Sequence, residues 1–214
     1  MYPAVYSYKR NRTRELELSI ETLHNIDCWN GEVYIVGDDP KLNTPYTYLK
    51  TAHTWGKGNK WNDEVCAYLT GCEAVGDFIL MSDDLFILKP WELKRHNRGE
   101  LSEHIKSRRH KDGYSRQLER TKQFLEDNGR PTLSYEIHIP MLVKAEQFID
   151  AVTIIPKIPA GVFIRSILGN WFDEPSTYLN DPKNKQLDKE TVLYSSSDNT
   201  FNYEKIHSIL NSSN

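Results

Sequence analysis

Asp77-Phe78-Ile79-Leu80-Met81-Ser82-Asp83-Asp84-Leu85-Phe86-Ile87-Leu88-Lys89-Pro90 holds the strongest signal of architecture in the sequence. An apolar run meets two adjacent carboxylates, and a second apolar run follows at once. A short continuous apolar run predicts a strand buried on both faces. Acids at the end of such a strand lie where open α/β sheets keep their sites, beyond the carboxyl ends of the strands. Adjacent carboxylates repel, so a half-buried pair calls for a cation, and hard oxygen donors suit Mg²⁺ or Mn²⁺. The plainer reading is a solvated turn between two strands, because Asp favours turns.

Upstream, the segments alternate in type. Val5 to Tyr8 predicts a first strand, and Lys9-Arg10-Asn11-Arg12-Thr13-Arg14 leads into a helix carrying Leu16, Ile20 and Leu23 at helical spacing. Asn11 or Thr13 is the expected cap. Ser7, Lys9, Arg10 and Arg12, at a strand end and a helix N-terminus, are candidate contacts for a diphosphate. Lys and Arg there oppose the helix dipole, which favours an anion as their partner. Glu32 to Val36 predicts a second strand ending in Gly37-Asp38-Asp39-Pro40, with Asp38 a candidate for a ribose or base edge. Residues 41–61 read as irregular, with a lid-like loop at 53–61 that carries Lys57 and Lys60. Asn62 caps the next predicted helix, with Asp63 and Glu64 in its first turn and Val65, Tyr68, Leu69 and Cys72 on one apolar face. The order β-α-β implies parallel neighbours and a three-layer α/β sheet.

The net charge of −3 hides a segregation. Residues 94–122 hold ten Lys or Arg against four acids, a net +6, which leaves −9 on the rest of the chain. That imbalance points to a polyanionic partner. The excursion, residues 94–129, predicts two helices divided at Asp112-Gly113. Beyond it, Leu133 to Pro140 alternates like a half-buried strand, placing Glu136 and His138 on one face. A helix near 144–152 with Phe148 and Ile149 inward comes next, then a buried helix over 160–169 ending on Gly169. Asp181 to Glu190 reads as a polar linker, followed by a last strand at 191–194 and a terminal helix at 202–210. The 214 residues make one domain with the basic excursion. Three scattered cysteines, no signal-peptide pattern and no apolar run of membrane length lead us to expect a cytoplasmic protein of a bacterium or phage-infected cell.

The early basic strand-helix, the Val33-Tyr34-Ile35-Val36-Gly37-Asp38 strand, the lid, the Asn62-Asp63-Glu64 helix and the Ser82-Asp83-Asp84-Leu85-Phe86-Ile87 turn resemble the glycosyltransferase-A fold. The wording is most similar to Stealth-type, capsular-polysaccharide and phage DNA-modifying sugar transferases, over residues 5–91 with an echo at His138-Ile139-Pro140. The resemblance implies a nucleotide-sugar donor, UDP-linked, whose diphosphate is clamped by Mn²⁺ or Mg²⁺ on an Asp-x-Asp-type turn. Asp84 matches the principal metal ligand, Asp83 the residue that assists with ribose or metal, and His138 the late ligand. Ser82 stands where the first acid usually lies.

The expected chemistry is sugar transfer, in which Lys9, Arg10, Arg12, Lys57 and Lys60 with the metal stabilise the departing diphosphate. Asn62 belongs to the same donor side. An acceptor hydroxyl needs a base in an inverting reaction, and Glu136 is the first candidate, Glu64 the second. The acceptor is read as a hydroxymethylated pyrimidine in DNA or a phosphate-bearing cell-surface glycan. A sugar-phosphate transferase is the alternative enzyme, and a non-catalytic nucleic-acid-binding module the alternative of another class.

Overall fold

A computed structural model describes residues 1–9, 12–51, 60–108, 112–154, 161–172, 174–183, 185–197 and 200–212, with the side chains of 60–64, 154 and 212 outside that description. Alternating apolar residues build its central sheet. Ala4, Tyr6 and Tyr8 of β1 (Tyr2–Tyr8) face one layer, and Val5 faces the other. The helix α1 (Thr13–Glu21) packs Leu16 and Ile20 on the first of these faces, and a 3₁₀ turn at Thr22–Asn25 adds Leu23. The strands β2 (Trp29–Gly37) and β3 (Thr47–Leu49) extend the sheet in parallel. The helix α2 (Lys60–Val75) returns across the second face, burying Val65, Tyr68 and Cys72 against Val5 and Phe78. At Gly71 an added Cβ would meet the Phe78 ring at 3.2 Å, so helix and strand approach closely there.

The strand β4 (Phe78–Met81) lies on the opposite side of β1 from β2 and runs parallel to β1. Phe78 and Leu80 face the α2 layer while Ile79 and Met81 face the α1 layer, and all four are buried, as the continuous apolar run requires. The chain then turns into β5 (Leu85–Ile87), which leaves the main sheet. Short segments follow: β6 (His96–Asn97), α3 (Leu101–Ser107) and α4 (Gly113–Asp127). The Asp112 carboxylate caps α4 by accepting from Ser115 N at 2.9 Å, so the division expected at Asp112-Gly113 is present. The strand β7 (Met141–Val143) joins β4 as an antiparallel edge, giving the order β3-β2-β1-β4-β7. The remaining elements are α5 (Ala145–Ile154), α6 (Ile164–Trp171), β8 (Thr177–Tyr178), β9 (Leu193–Ser195) and α7 (Tyr203–Ser212). The strand β9 pairs with β5, and β6 with β8. The fold is a mixed α/β domain with a mostly parallel central sheet between helical layers. No helix among the described residues is long and apolar enough to cross a membrane.

Several expectations need correction. The residue at the N-cap of α1 is Arg12, with no side-chain cap bond, instead of Thr13, and Asn11 lies outside the described residues. Helix α2 begins at Lys60, so Asn62 sits within its first turn and does not cap it. Residues 47–49 form a strand the sequence reading left irregular. Ile149 is 44% exposed although Phe148 beside it is buried. Gly169 does not end α6; it lies inside the helix, where an added Cβ would overlap the Tyr135 ring.

Residues 133–140 belong to no named strand, with one bridge between Leu133 and Glu100 and a bend at 138–139. The alternation is real, since Tyr135, Ile137 and Ile139 are buried. What differs is where the backbone hydrogen bonds go. Asn170 of α6 takes both Leu133 N and Leu133 O, at 2.9 and 2.8 Å. Ser166 Oγ accepts from Tyr135 N at 3.0 Å, and Arg165 donates to the carbonyls of Ile137 and Ile139. Side chains of α6 take most of the place of a neighbouring strand, while Ser134 pairs with the backbone of Arg98 and Gly99 at 2.9 and 2.8 Å.

Candidate active site

Because β1 connects outward through α1 to β2 while β4 arrives from the far edge through α2, β1 and β4 flank a reversal of strand order. Such a reversal opens a crevice beyond the carboxyl ends of the strands. Lys9 and Arg12 follow β1 and residues 82–84 follow β4, so both sequence features open on that crevice.

A tight turn, closed by Leu85 N donating to Ser82 O at 3.2 Å, carries the carboxylates. Ser19 of α1 braces it: the buried Ser19 Oγ lies 2.6 Å from Leu85 O and 3.2 Å from Ser82 O, and Tyr6 OH sits 3.0 Å from it on the other side. Asp84 is buried, and its carbonyl accepts from Ser196 N at 3.0 Å. Two cations compensate its charge. Arg12 Nη1 is 3.6 Å from Asp84 Oδ2, and Lys183 Nζ is 3.4 Å from the same oxygen. Asp83 has a different environment. Burial first, then the neighbouring Asp84 carboxylate, push it up to about 7 against the pull of Arg12.

His138 faces the same place. Its Nδ1 lies 3.0 and 3.1 Å from the two oxygens of Asp181, and its Nε2 lies 3.1 Å from Lys183 Nζ. An ammonium can only donate, so Nε2 accepts and the ring proton sits on Nδ1, toward Asp181. Burial would raise the Asp181 carboxyl, but the His138 hydrogen bond and backbone N–H groups of Lys183 and His138 hold it at about 2. Arg98 Nη1 reaches Asp181 Oδ2 at 3.1 Å and the Glu136 carbonyl at 3.3 Å. Asp181 and Lys183 carry no mark of a site in the sequence, and Arg98 stands out there only as one cation of the basic excursion. Asp181-Pro182-Lys183 reads as a turn in a polar linker, and nothing local marks it as the partner of a residue ninety-nine positions earlier.

The other predicted residues divide. Glu136 points toward α6, where Oε1 accepts from Ser166 N at 3.2 Å and Ser166 Oγ at 2.9 Å. Ser7 is half-buried in β1 opposite Val36, Lys9 is exposed beyond β1, and Asp38 follows β2, its N–H donating to Tyr8 O at 3.1 Å. The neighbouring Asp39 is occupied by Lys41 and Tyr46 and held at about 2 by those bonds. Arg10 and Lys57 lie outside the described residues, as does most of the expected lid. Lys60, Asn62 and Glu64 are placed on α2 by their backbone only.

Of the eight described cations of the basic excursion, six are ion-paired: Lys94 with Glu92, Arg95 with Glu174, Arg98 with Asp181, Lys106 with Glu103, Arg108 with Asp112 and Lys122 with Glu126, while Arg109 and Lys111 lie outside the described residues. Glu92, Glu174, Asp181 and Glu126 come from outside the 94–122 stretch. A cavity of about 390 Å³ opens on the side of the 135–140 segment lined by Tyr135, Ile137 and Ile139, the residues that alternate with Glu136 and His138. Of the cations that line it, Arg95 and Lys144 pair with Glu174, Lys94 pairs with Glu92, and Arg165 donates to the carbonyls of Ile137 and Ile139. Comparison with known proteins gives no matching family model and no matching curated protein.

Proposed function

We propose that the chain is a glycosyltransferase of the glycosyltransferase-A fold that moves a sugar from a UDP-linked donor to a hydroxyl acceptor. One observation carries the reading: the buried Asp84, just past β4 at the strand-order reversal, is met by cations from two distant segments, Arg12 and Lys183. In sugar transfer the acceptor oxygen bonds to the anomeric carbon as that carbon's bond to the β-phosphate oxygen breaks. The bonding pair leaves on the diphosphate, where pre-placed cations are most effective. The acceptor proton passes to a carboxylate base, for which we assign Glu136, whose carboxylate accepts from Ser166 and whose backbone carbonyl accepts from Arg98. The N-terminus of α1 opens on the same crevice and supplies backbone N–H groups for phosphate oxygens.

The residues present fit a divalent metal poorly. Asp84 and His138 do converge on one point, but the Lys183 ammonium lies on it. Among the described residues no three His, Cys, Asp or Glu side chains gather as a ligand set. Mn²⁺ or Mg²⁺, when bound, would neutralise phosphate charge, and the assay must include arms with and without them. For the acceptor, the internal pairing of the basic excursion favours a glycan hydroxyl over DNA.

Incubation with a panel of UDP- and GDP-sugars, with Mn²⁺, Mg²⁺ or a chelator, tests the reading by released nucleotide. We expect nucleoside diphosphate, with release falling at least about 100-fold in Asp84→Ala while the circular dichroism is kept. Release of nucleoside monophosphate instead would make the chain a sugar-phosphate transferase. Consumption of no sugar nucleotide under any condition would overturn the proposal.

A further inference from the structure

We infer that Lys183 is the resident cation of this site, seated between Asp84 and His138 where a divalent metal would otherwise sit, and that it binds the donor diphosphate directly together with Arg12. The inference rests on the sugar-transferase reading and assigns the chemistry of its leaving-group site.

Three observations support the assignment. First, the ammonium has partners on two sides, Asp84 Oδ2 at 3.4 Å and His138 Nε2 at 3.1 Å. An ammonium carries three donors, so among the described residues one N–H remains for a phosphate oxygen. Second, the backbone that delivers Lys183 is built in place. Its N–H donates to Asp181 Oδ1 at 3.1 Å, it bridges to Ser195 of β9, and Ser195 N donates to Pro182 O at 3.4 Å. Third, His138 is oriented as an acceptor toward it. Asp181 holds the Nδ1 proton, so the Nε2 lone pair is directed at a cation, an arrangement that usually turns a histidine toward a metal. Here the cation is supplied by the chain itself. Lys183 and Arg12 are each about one-third exposed, 32% and 34%, so they can reach an incoming anion while the carboxylate they share is 9% exposed.

A diphosphate approaching Asp84 meets a buried anion, and Arg12 and Lys183 are the cations placed beside it, with Arg12 also pairing with Glu15 at 3.6 Å. When the sugar–phosphate bond breaks, the electron pair that passes to the diphosphate is met by an N–H already in position.

Calorimetric titration of UDP, GDP and uridine into wild type, Lys183→Met and Lys183→Arg, in chelator and again in Mn²⁺, tests this. The expected result is diphosphate binding in chelator within about threefold of that in Mn²⁺, weakened about tenfold or more in Lys183→Met and largely restored in Lys183→Arg. Uridine affinity should not change in Lys183→Met, which separates loss of a phosphate contact from a damaged fold. Diphosphate binding that needs Mn²⁺ and is indifferent to Lys183→Met would overturn the assignment while leaving the sugar-transferase reading standing. Absence of binding and of donor turnover in both chelator and Mn²⁺ would overturn both.

Discussion

Asp83 and Asp84 are neighbours in sequence with opposite surroundings. Asp84 is matched by two cations, whereas Asp83 is half-buried beside a like charge and is pushed up to about 7. Away from the site, His104 is buried against Ser134 with Arg98 and Arg108 nearby, and burial first, then those charges, depress it to about 4. An unfolded histidine titrates near about 6.5, so between these values the unfolded chain binds a proton that the folded chain does not. Stability from neutral His104 is therefore fully present above about 6.5 and is lost as pH falls toward 4, on the order of 2 kcal/mol. Asp83 acts in the opposite direction over much of the same window, because its folded form holds the proton more tightly. Urea midpoints of wild type and His104→Gln from pH 7 to pH 4 isolate the His104 contribution, since Asp83 is common to both. The wild-type curve should fall toward the variant's, or further below it, as pH drops; parallel curves would exclude the effect.

At the scale of elements, α6 does two jobs. It meets the backbone of Leu133 and Tyr135 through Asn170 and Ser166, and it lets the Tyr135 ring lie against Gly169. Tyr135 is buried and its hydroxyl is 2.9 Å from Ser176 Oγ, so the ring has little room to retreat. Gly169→Ala is expected to cost about 1–3 kcal/mol by overpacking, despite the better helix propensity of alanine. Chemical denaturation measures it; an unchanged or raised midpoint would mean the segment carrying Glu136 and His138 is free to shift. The same packing explains why a correct alternation gave a wrong element. Burial every second residue requires only that one face meet a core, and a helix bearing Ser, Arg and Asn can meet it as a strand does.

Across the whole molecule, charge that is segregated along the chain is mixed in space. Acids from 92, 126, 174 and 181 come to the cations of the basic excursion, leaving fewer of them for a polyanion. Binding to unmodified duplex DNA should accordingly stay in the non-specific range, about 10⁻⁴ M or weaker at physiological salt. Fluorescence anisotropy with a labelled duplex checks this, and a dissociation constant below about 10⁻⁶ M would restore nucleic acid as a partner.

The parallel α/β core and the position of its acidic turn are legible in the residues alone. Continuous apolar runs, helical spacing and the Asp112 cap are local signals, each settled within a few residues by burial and backbone hydrogen bonding. Only the tertiary structure decided what faces the acids. Lys183 meets Asp84 across ninety-nine residues, and Asp181 turns His138 across forty-three, by way of a segment whose composition reads as a linker. A turn's residues are chosen by backbone conformation, whereas its side-chain partners depend on how β5, β9 and the 133–140 segment stack. Buried charge drives that pairing: an isolated carboxylate at the end of β4 is unfavourable, and the fold that is adopted brings it two cations.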